Sequence, residues 1–458
     1  MTAKTGSSTL NIDNRIESPG RIIYDGLNLT LDQGAGIATY ARLLSHIART
    51  LGYDVGVVYG TNFTPGKDAL LQEVLFYDQM RVPHQLDRKI TLKGTLNRTL
   101  NRIIDQVRYN FTVMPSSLRL GDAVIERQYG DSFAEHDRGF VGRSLFESAN
   151  TIFDGTARFI NLSFDPAPDI LHCTCPIPLR VRSACNIYTI HDLTSLRLPS
   201  APPKNKSMAL KLLKKIAETA NHIITVSETS KQDIVRMLKV DETRVTNTYQ
   251  AVTLPQKYLD RSEQTVANYL DGLYGLEMNG YLLCFDALEP KENAGWLIDA
   301  FRLSDADIPL VLVTAAGGRH SAEDAGEHMA PEGARNAAGS PIRCLSYVGP
   351  SALVSLIRGA RAVVSPSRYE GFSLSVLEAM MLGTPVVTPT SGELAEISGD
   401  AALLVDPYDV DDMARAVRAI VNDADLRREL SQRGTAQAAK FSVARYRERI
   451  RSLYASLA

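Results

Sequence analysis

Glu370 and Glu378 are spaced to act on one ligand. They stand in Ser365-Pro366-Ser367-Arg368-Tyr369-Glu370-Gly371-Phe372-Ser373-Leu374-Ser375-Val376-Leu377-Glu378-Ala379-Met380. An apolar run ends at Ser365, a loop carries Glu370 and Gly371, and a helix opens near Ser373, whose hydroxyl is expected to cap it. Free N–H groups over Gly371, Phe372, Ser373 and Leu374 at such a helix start attract a phosphate, and a glycine lets that phosphate approach the backbone. The carboxylates cannot hold an anion themselves. Ionised, they only accept hydrogen bonds, so they suit hydroxyl groups, which sugars present in a dense array.

Two smaller constellations point the same way. Gly34 and Gly36 separate a short strand, Arg21 to Asp25, from an apolar-periodic segment, Ile37 to Leu51. Such glycines serve either a ligand's approach or a tight strand-helix turn. His191-Asp192 follows the run Ile187-Tyr188-Thr189-Ile190, which puts both side chains at the C-terminal edge of a sheet, where doubly wound folds bind ligands. A His beside an Asp is also a common structural pair, and His172 is read as structural. Asp305-Ala306-Asp307 has a metal-diphosphate spacing, yet it follows a predicted helix and precedes a strand, the wrong end of a sheet for ligand chemistry. No metal site and no cofactor are expected.

The elements that position these residues alternate. After a polar leader, 1–20, the strand-helix rhythm runs from Arg21, dissolves into mixed helix and loop around 60–165, and returns with Asp169 to Cys173, Asn186 to Ile190 and His222 to Val226. Weak periodicity after Leu254-Pro255 puts a hinge at 256–280. A second series begins at Tyr281 and includes strands at Pro309 to Thr314, Ala362 to Ser365 and Pro385 to Thr388. The pattern predicts two doubly wound α/β domains in tandem, 21–255 and 281–434, with a last helix in 435–458.

Composition bounds the class. The chain has 458 residues, 44% hydrophobic and 22% charged, with 50 Lys and Arg against 52 Asp and Glu. That is globular, long enough for two or three domains, and without the basic excess of a nucleic-acid binder. Five cysteines, Cys173, Cys175, Cys185, Cys284 and Cys344, are too few and too odd in number for a disulfide framework, so a cytoplasmic setting is expected. Neither a signal peptide nor a spanning segment is apparent.

The Glu-x7-Glu element, with its Glu-Gly-Phe start and Glu-Ala-Met end before Gly383-Thr384-Pro385-Val386-Val387, resembles the signature of retaining nucleotide-sugar glycosyltransferases of family 4. The likeness extends through Glu289-Pro290-Lys291-Glu292-Asn293, Tyr347-Val348-Gly349 and Glu396-Ile397-Ser398-Gly399-Asp400. In the first half it rests on Gly34-Ala35-Gly36-Ile37, His191-Asp192 and Val226-Ser227-Glu228. It implies the GT-B fold, two Rossmann-like domains facing a cleft, with the donor held by the second domain, the acceptor by the first and the last helix crossing back. It further implies that Glu370 contacts the donor sugar and Glu378 the nucleotide ribose, that His191 lies near the reacting sugar, and that the glycine loop approaches the donor diphosphate or the acceptor. The acceptor would be a hydroxyl of a glycan or lipid-linked glycan in surface polysaccharide synthesis. Likeness of Phe285 to Asn293 to bacterial O-antigen and exopolysaccharide mannosyltransferases favours GDP-mannose or a related GDP-sugar.

One departure stands out. Family members place an Arg before the Glu-Pro pair and a Lys two residues after the Pro, where this chain has Asp286 and Glu292. Lys291 is then the candidate cation for the leaving diphosphate, with Arg319 and Arg368 assisting. The departure keeps two alternatives open: a noncatalytic nucleotide-sugar-binding subunit, and an epimerase or hydrolase on the same fold. Arg81, Arg88, Lys89, Lys93, Arg98, Arg102, Arg108 and Arg119, interleaved with apolar residues, form a basic amphipathic candidate. It suits either an anionic membrane surface at the inner face of the cytoplasmic membrane or an ordinary packed helix with a solvated face.

Overall fold

Short apolar runs buried on both faces make the parallel strands of this chain. The computed structural model describes residues 19–30, 36–64, 66, 68–81, 111–119, 136–197, 203–285, 293–313, 341–345, 348–390 and 392–457. In the first half the strands are β1 (Arg21–Asp25), β2 (Asp54–Thr61), β3 (Thr112–Val113), β4 (Ser116–Leu118), β5 (Arg138–Arg143), β6 (Ile160–Leu162), β7 (Ile170–Cys173), β8 (Leu179–Arg180), β9 (Cys185–Thr189), β10 (His222–Thr225) and β11 (Val245–Asn247). Eight of them form one sheet in the order β11-β10-β9-β7-β1-β2-β5-β4, parallel except where β4 meets β5; β3, β6 and β8 form a small parallel sheet beside it.

The second half holds β12 (Leu282–Cys284), β13 (Leu310–Val313), β14 (Ile342–Leu345), β15 (Ala362–Val364), β16 (Val386–Pro389) and β17 (Leu403–Val405), in the all-parallel order β14-β13-β12-β15-β16-β17. The winding reverses between β12 and β15, and in the first sheet between β1 and β7. Crevices at such reversals, beyond the strands' C-terminal ends, are where doubly wound sheets take ligands.

Two features differ from the sequence reading. Among the described residues of 60–165 the main sheet continues: β5 pairs along its whole length with β2. Its sequence, Arg-Gly-Phe-Val-Gly-Arg, hides it, because Gly139 and Gly142 lower strand propensity while letting Leu118 and Leu145 pack close. The segment 256–280 is no free hinge either. It forms the helices Gln256–Leu259 and Glu263–Tyr274, whose Val266 and Leu270 enter the second domain's core, with Arg261 bonded to Ser351 and Ser355.

The chain crosses between domains at two other places, and these are joined. Val252 N–H donates to the Phe441 carbonyl (3.0 Å), Tyr249 and Phe441 meet edge to face, and Arg449 lies over the Tyr249 ring while donating to the Thr248 carbonyl. Beyond this point the helix Val443–Leu457 buries Tyr446, Ile450, Leu453 and Tyr454 against the first domain, beside Ile22, Tyr24, Tyr40 and Leu44.

A buried polar chain fixes that helix. The Tyr454 hydroxyl bonds the Tyr24 hydroxyl and His172 Nδ1, both at 2.7 Å; His172 Nε2 bonds the Thr189 hydroxyl, which meets the Tyr40 hydroxyl at 2.9 Å. Burial pushes His172 down to about 3, so the ring stays neutral and can donate at one nitrogen and accept at the other. Tyr454→Phe removes the central hydroxyl and leaves two buried partners unsatisfied. The expected cost is about 1–3 kcal/mol, read as a lower urea midpoint with an unchanged m-value.

Candidate active site

The walls of the cleft come from the C-terminal ends of β1, β7 and β9 on one side and of β15 and β16 on the other. At the end of β1, Asp25 is buried. Its carboxylate accepts from the Thr174 backbone N–H and hydroxyl just beyond β7, and burial pushes it up to about 6. The Thr174 carbonyl in turn accepts from His191 Nε2 at 3.0 Å. Because a carbonyl only accepts, Nε2 carries the proton and Nδ1 keeps a lone pair, and that buried Nδ1 has no hydrogen-bond partner among the described residues. Burial lowers the His191 pKa, and the ring stands edge to face with Tyr40 at 4.8 Å. His191 is thus a neutral, oriented acceptor.

Asp192 spends one oxygen on the Thr194 N–H (2.8 Å). Its other oxygen faces Gly371 so closely that a Cβ there would lie 2.7 Å from Oδ2 and 3.1 Å from the His191 carbonyl. The glycine is needed for this approach, and it brings the Glu370 loop against the His191-Asp192 pair. Gly36, first residue of the helix Gly36–Thr50, lies opposite Leu374, 3.7 Å from its Cδ1 to a Cβ built there. Phe372 packs against Phe441 and between the cores of both domains.

The helix Leu374–Met381 begins after Ser373, but the expected side-chain cap is absent. The Ser373 hydroxyl bonds that of Ser375 at 3.1 Å instead, which leaves the helix's first N–H groups unused by it. Glu378 lies inside this helix, and loss of solvation pushes its carboxyl up to about 7. The sequence reading treated it as plainly ionised; in this half-buried setting loss of solvation favours the protonated form more than in water. Arg368 is exposed and lies over the Tyr408 ring, 5.7 Å from its centroid, just beyond β17. Lys291, Arg319 and Gly34 lie outside the described residues, as do Asp286, Glu292 and most of the basic segment from Arg81 to Arg119. Asp305 and Asp307 precede β13, at the edge away from the cleft.

Sequence reasoning missed the residues that join the two walls. Tyr369, beside Glu370, donates to Asp233 of the first domain at 2.9 Å. Asp233 also pairs with Arg197, whose guanidinium lies over the Tyr369 ring at 5.1 Å. Glu396 accepts from the Glu228 N–H (2.6 Å), the Thr229 N–H (2.9 Å) and the Thr229 hydroxyl (2.8 Å), capping the opposite domain's helix Glu228–Leu238. Glu393, 1% exposed, takes a 3.3 Å bond from the Ser230 hydroxyl. Its Oε2 makes none among the described residues, and burial pushes the carboxyl up to about 7, with Asp192 adding to the rise. Its place just past the end of β16 was the available signal. Among the described residues no cluster of side chains fits a metal ion, and no helix is long and apolar enough to cross a membrane.

Two doubly wound domains that present hydroxyl-accepting side chains and a helix N-terminus to a shared cleft define a glycosyltransferase of the GT-B fold. The chain belongs to glycosyltransferase family 4: residues 275–437 match the model described as Glycosyl transferases group 1, and residues 123–254 that of Glycosyltransferase Family 4. It is 33% identical over 271 residues to O-antigen chain mannosyltransferase B of Escherichia coli, an alignment covering 58% of this chain and 68% of that protein. It is 27% identical over 229 residues to the serotype-specific mannosyltransferase WbdA of the same species, covering 49% of this chain but 27% of WbdA. Among solved structures, Anabaena Alr3699/HepE in complex with UDP and glucose superposes with a TM-score of 0.60 at 14% identity, over 95% of this chain and 100% of that one. Sucrose-phosphate synthase from Thermosynechococcus elongatus gives 0.60 at 17% identity over 95% and 98%. At these identities the structures share the fold.

The elevated Glu378 has a consequence for stability. Its folded pKa lies above the unfolded value, so the stability it contributes is full below about pH 4, and is lost as pH rises through 7. Glu378→Gln should therefore raise the melting temperature of the unliganded protein by a few degrees at pH 8 and leave it nearly unchanged at pH 4. Thermal unfolding at both values checks this.

Proposed function

We propose that this chain transfers a sugar from a nucleotide-sugar donor, GDP-mannose or a related GDP-sugar, to a hydroxyl of a glycan or lipid-linked acceptor. The anomeric configuration is retained, and the setting is bacterial surface polysaccharide synthesis. The observation that carries this reading is the junction of Gly371 with His191-Asp192, which brings the loop that bears Glu370 to the wall where His191 keeps an acceptor nitrogen without a partner among the described residues. The named activities of the E. coli mannosyltransferases support it. The acceptor hydroxyl attacks the face from which the diphosphate leaves, and a leaving-phosphate oxygen takes its proton. The protein's work is to orient the partners and to stabilise the departing charge. Location at the inner face of the cytoplasmic membrane, through the basic segment, belongs to the same reading.

No obligatory metal enters the reaction. Lys291 supplies the cation for the diphosphate, with Arg319 assisting; Arg368, drawn over Tyr408, would have to swing back to take part. The test is a panel of nucleotide sugars, with and without EDTA, scored for nucleotide release with and without a glycan acceptor. Transfer from GDP-mannose in EDTA is the expected result. Release without an acceptor would instead mark a hydrolase, and donor binding with neither reaction would mark a noncatalytic subunit.

The Glu pair should separate kinetically. Glu378→Ala is expected to raise KM for the donor through lost ribose contacts, whereas Glu370→Ala is expected mainly to lower kcat through lost sugar positioning. Steady-state kinetics on folded variants checks the split. Lys291→Ala should lower kcat by roughly a hundredfold or more with a smaller effect on donor affinity, as expected for a group aimed at developing charge. Wild-type turnover in that variant would remove Lys291 from the role.

A further inference from the structure

A second built cavity lies away from the cleft. It has a volume of about 350 Å³ and is lined by Arg158, Arg180, Arg182 and Lys215, together with Asn161 and the ring of Phe111. Thr219 and Arg182 of its lining each lie three residues before a strand, β10 and β9, so it lies where these parallel strands begin. His191 follows the other end of β9. The cavity therefore belongs to the opposite edge of the first sheet and takes no part in the transfer cleft.

Register builds its floor. Asn161 of β6 and Arg180 of β8 are direct partners in the small sheet, and Asn161 N–H is held by the Phe111 carbonyl at 2.8 Å. The end of the helix Pro203–Thr219 supplies Lys215 as a wall, and the Arg158 guanidinium stands over the Phe111 ring at 5.3 Å. Four cations converge, and among the described residues no carboxylate lines the space; Glu218 meets Lys215 at 3.0 Å from outside the lining. Two buried polar atoms have no hydrogen-bond partner among the described residues. Arg180 Nε needs an acceptor, and the Oδ1 of Asn161, a residue 9% exposed, needs a donor.

We propose that this cavity is a distal binding site for a small phosphate ester that carries a free hydroxyl. Phosphate oxygens answer the four cations and Arg180 Nε, and charge-assisted bonds of this kind are the strong ones. A fully ionised phosphate has no proton to give, so it cannot satisfy Asn161 Oδ1; a neighbouring hydroxyl does. The Phe111 and Phe159 rings offer an apolar face to the carbon skeleton that joins the two groups. Both a soluble sugar phosphate and the glycerol-phosphate headgroup of an anionic lipid have this chemistry.

The test uses the full chain with saturating GDP, so that the transfer cleft is occupied. Calorimetric titration compares glycerol 3-phosphate, glucose 6-phosphate and inorganic phosphate, and co-sedimentation compares vesicles of phosphatidylcholine with and without phosphatidylglycerol. The esters, or the phosphatidylglycerol vesicles, should bind at least about tenfold more tightly than inorganic phosphate or plain vesicles. Arg158→Ala with Arg182→Ala, both at exposed positions, should lower that binding about tenfold or more while leaving donor turnover unchanged. Asn161→Leu should bring ester affinity down to that of inorganic phosphate. Binding by esters alone identifies a soluble ligand, and binding by vesicles alone a lipid headgroup. Failure of every probe at low salt, or binding that survives loss of both arginines, overturns the proposal.

Discussion

The cleft is held in shape by a carboxylate that one domain lends to the other. Glu396 caps the helix Glu228–Leu238 from across the gap, replacing water at the unpaired N–H groups with charge-assisted bonds that also meet the positive end of the helix dipole. Ser227 already caps the same helix from within, bonding the Ser230 N–H at 3.0 Å. The two caps divide the exposed N–H groups between a local residue and a distant one, so this helix start is complete only when the domains are together. The Tyr369-Asp233-Arg197 contact lies on the same seam and is anchored to the loop that carries Glu370. The contact that joins the domains therefore also places the loop that carries Glu370.

The opposite margin of the molecule is joined differently. There the two crossover segments bond to each other through Val252 and Phe441, and Arg449 bridges the Thr248 and Lys440 carbonyls. Side-chain contacts thus join the domains on one margin, and a backbone bond with the Arg449-Tyr249-Phe441 group joins the crossover segments on the other. The helix Val443–Leu457 is fixed on the first-domain side, because the hydroxyl chain through Tyr454 and His172 ties it to β1, β7 and β9.

Legibility in the sequence followed burial. The run from Ala362 to Met381 was readable because a fully buried parallel strand, a loop and an amphipathic helix each leave their own pattern in consecutive residues. The β5 strand was not, since its two glycines are there to admit Leu118 and Leu145, a requirement set by residues distant in sequence. The helices within 256–280 have faces exposed enough to blur their period, and what ties the segment to the second domain is Val266 and Leu270 in its core with Arg261 on Ser351 and Ser355. Glu393 and Glu396 sat in view beside a recognised motif. What gives them a role is Ser230, Thr229 and Asp192, which belong to the other domain. Local pattern identifies an element, but a contact between domains has no local pattern.

The described part of the cleft is rich in acceptors, and this orders its chemistry. Among the described residues His191 Nδ1 and Glu393 Oε2 are buried without a partner, and loss of solvation raises both Glu378 and Glu393 to about 7. An unpaired acceptor in a dry site is costly, so each favours a ligand that brings a proton donor to it. Hydroxyls do that without adding charge. Such acceptors suit a ligand with several hydroxyls, since one that lacks a hydroxyl would leave a buried acceptor without a donor. The Asp25-Thr174-His191 chain fixes the acceptors on one wall and the Glu396 cap holds the other wall against it, so neither domain alone holds the whole acceptor set.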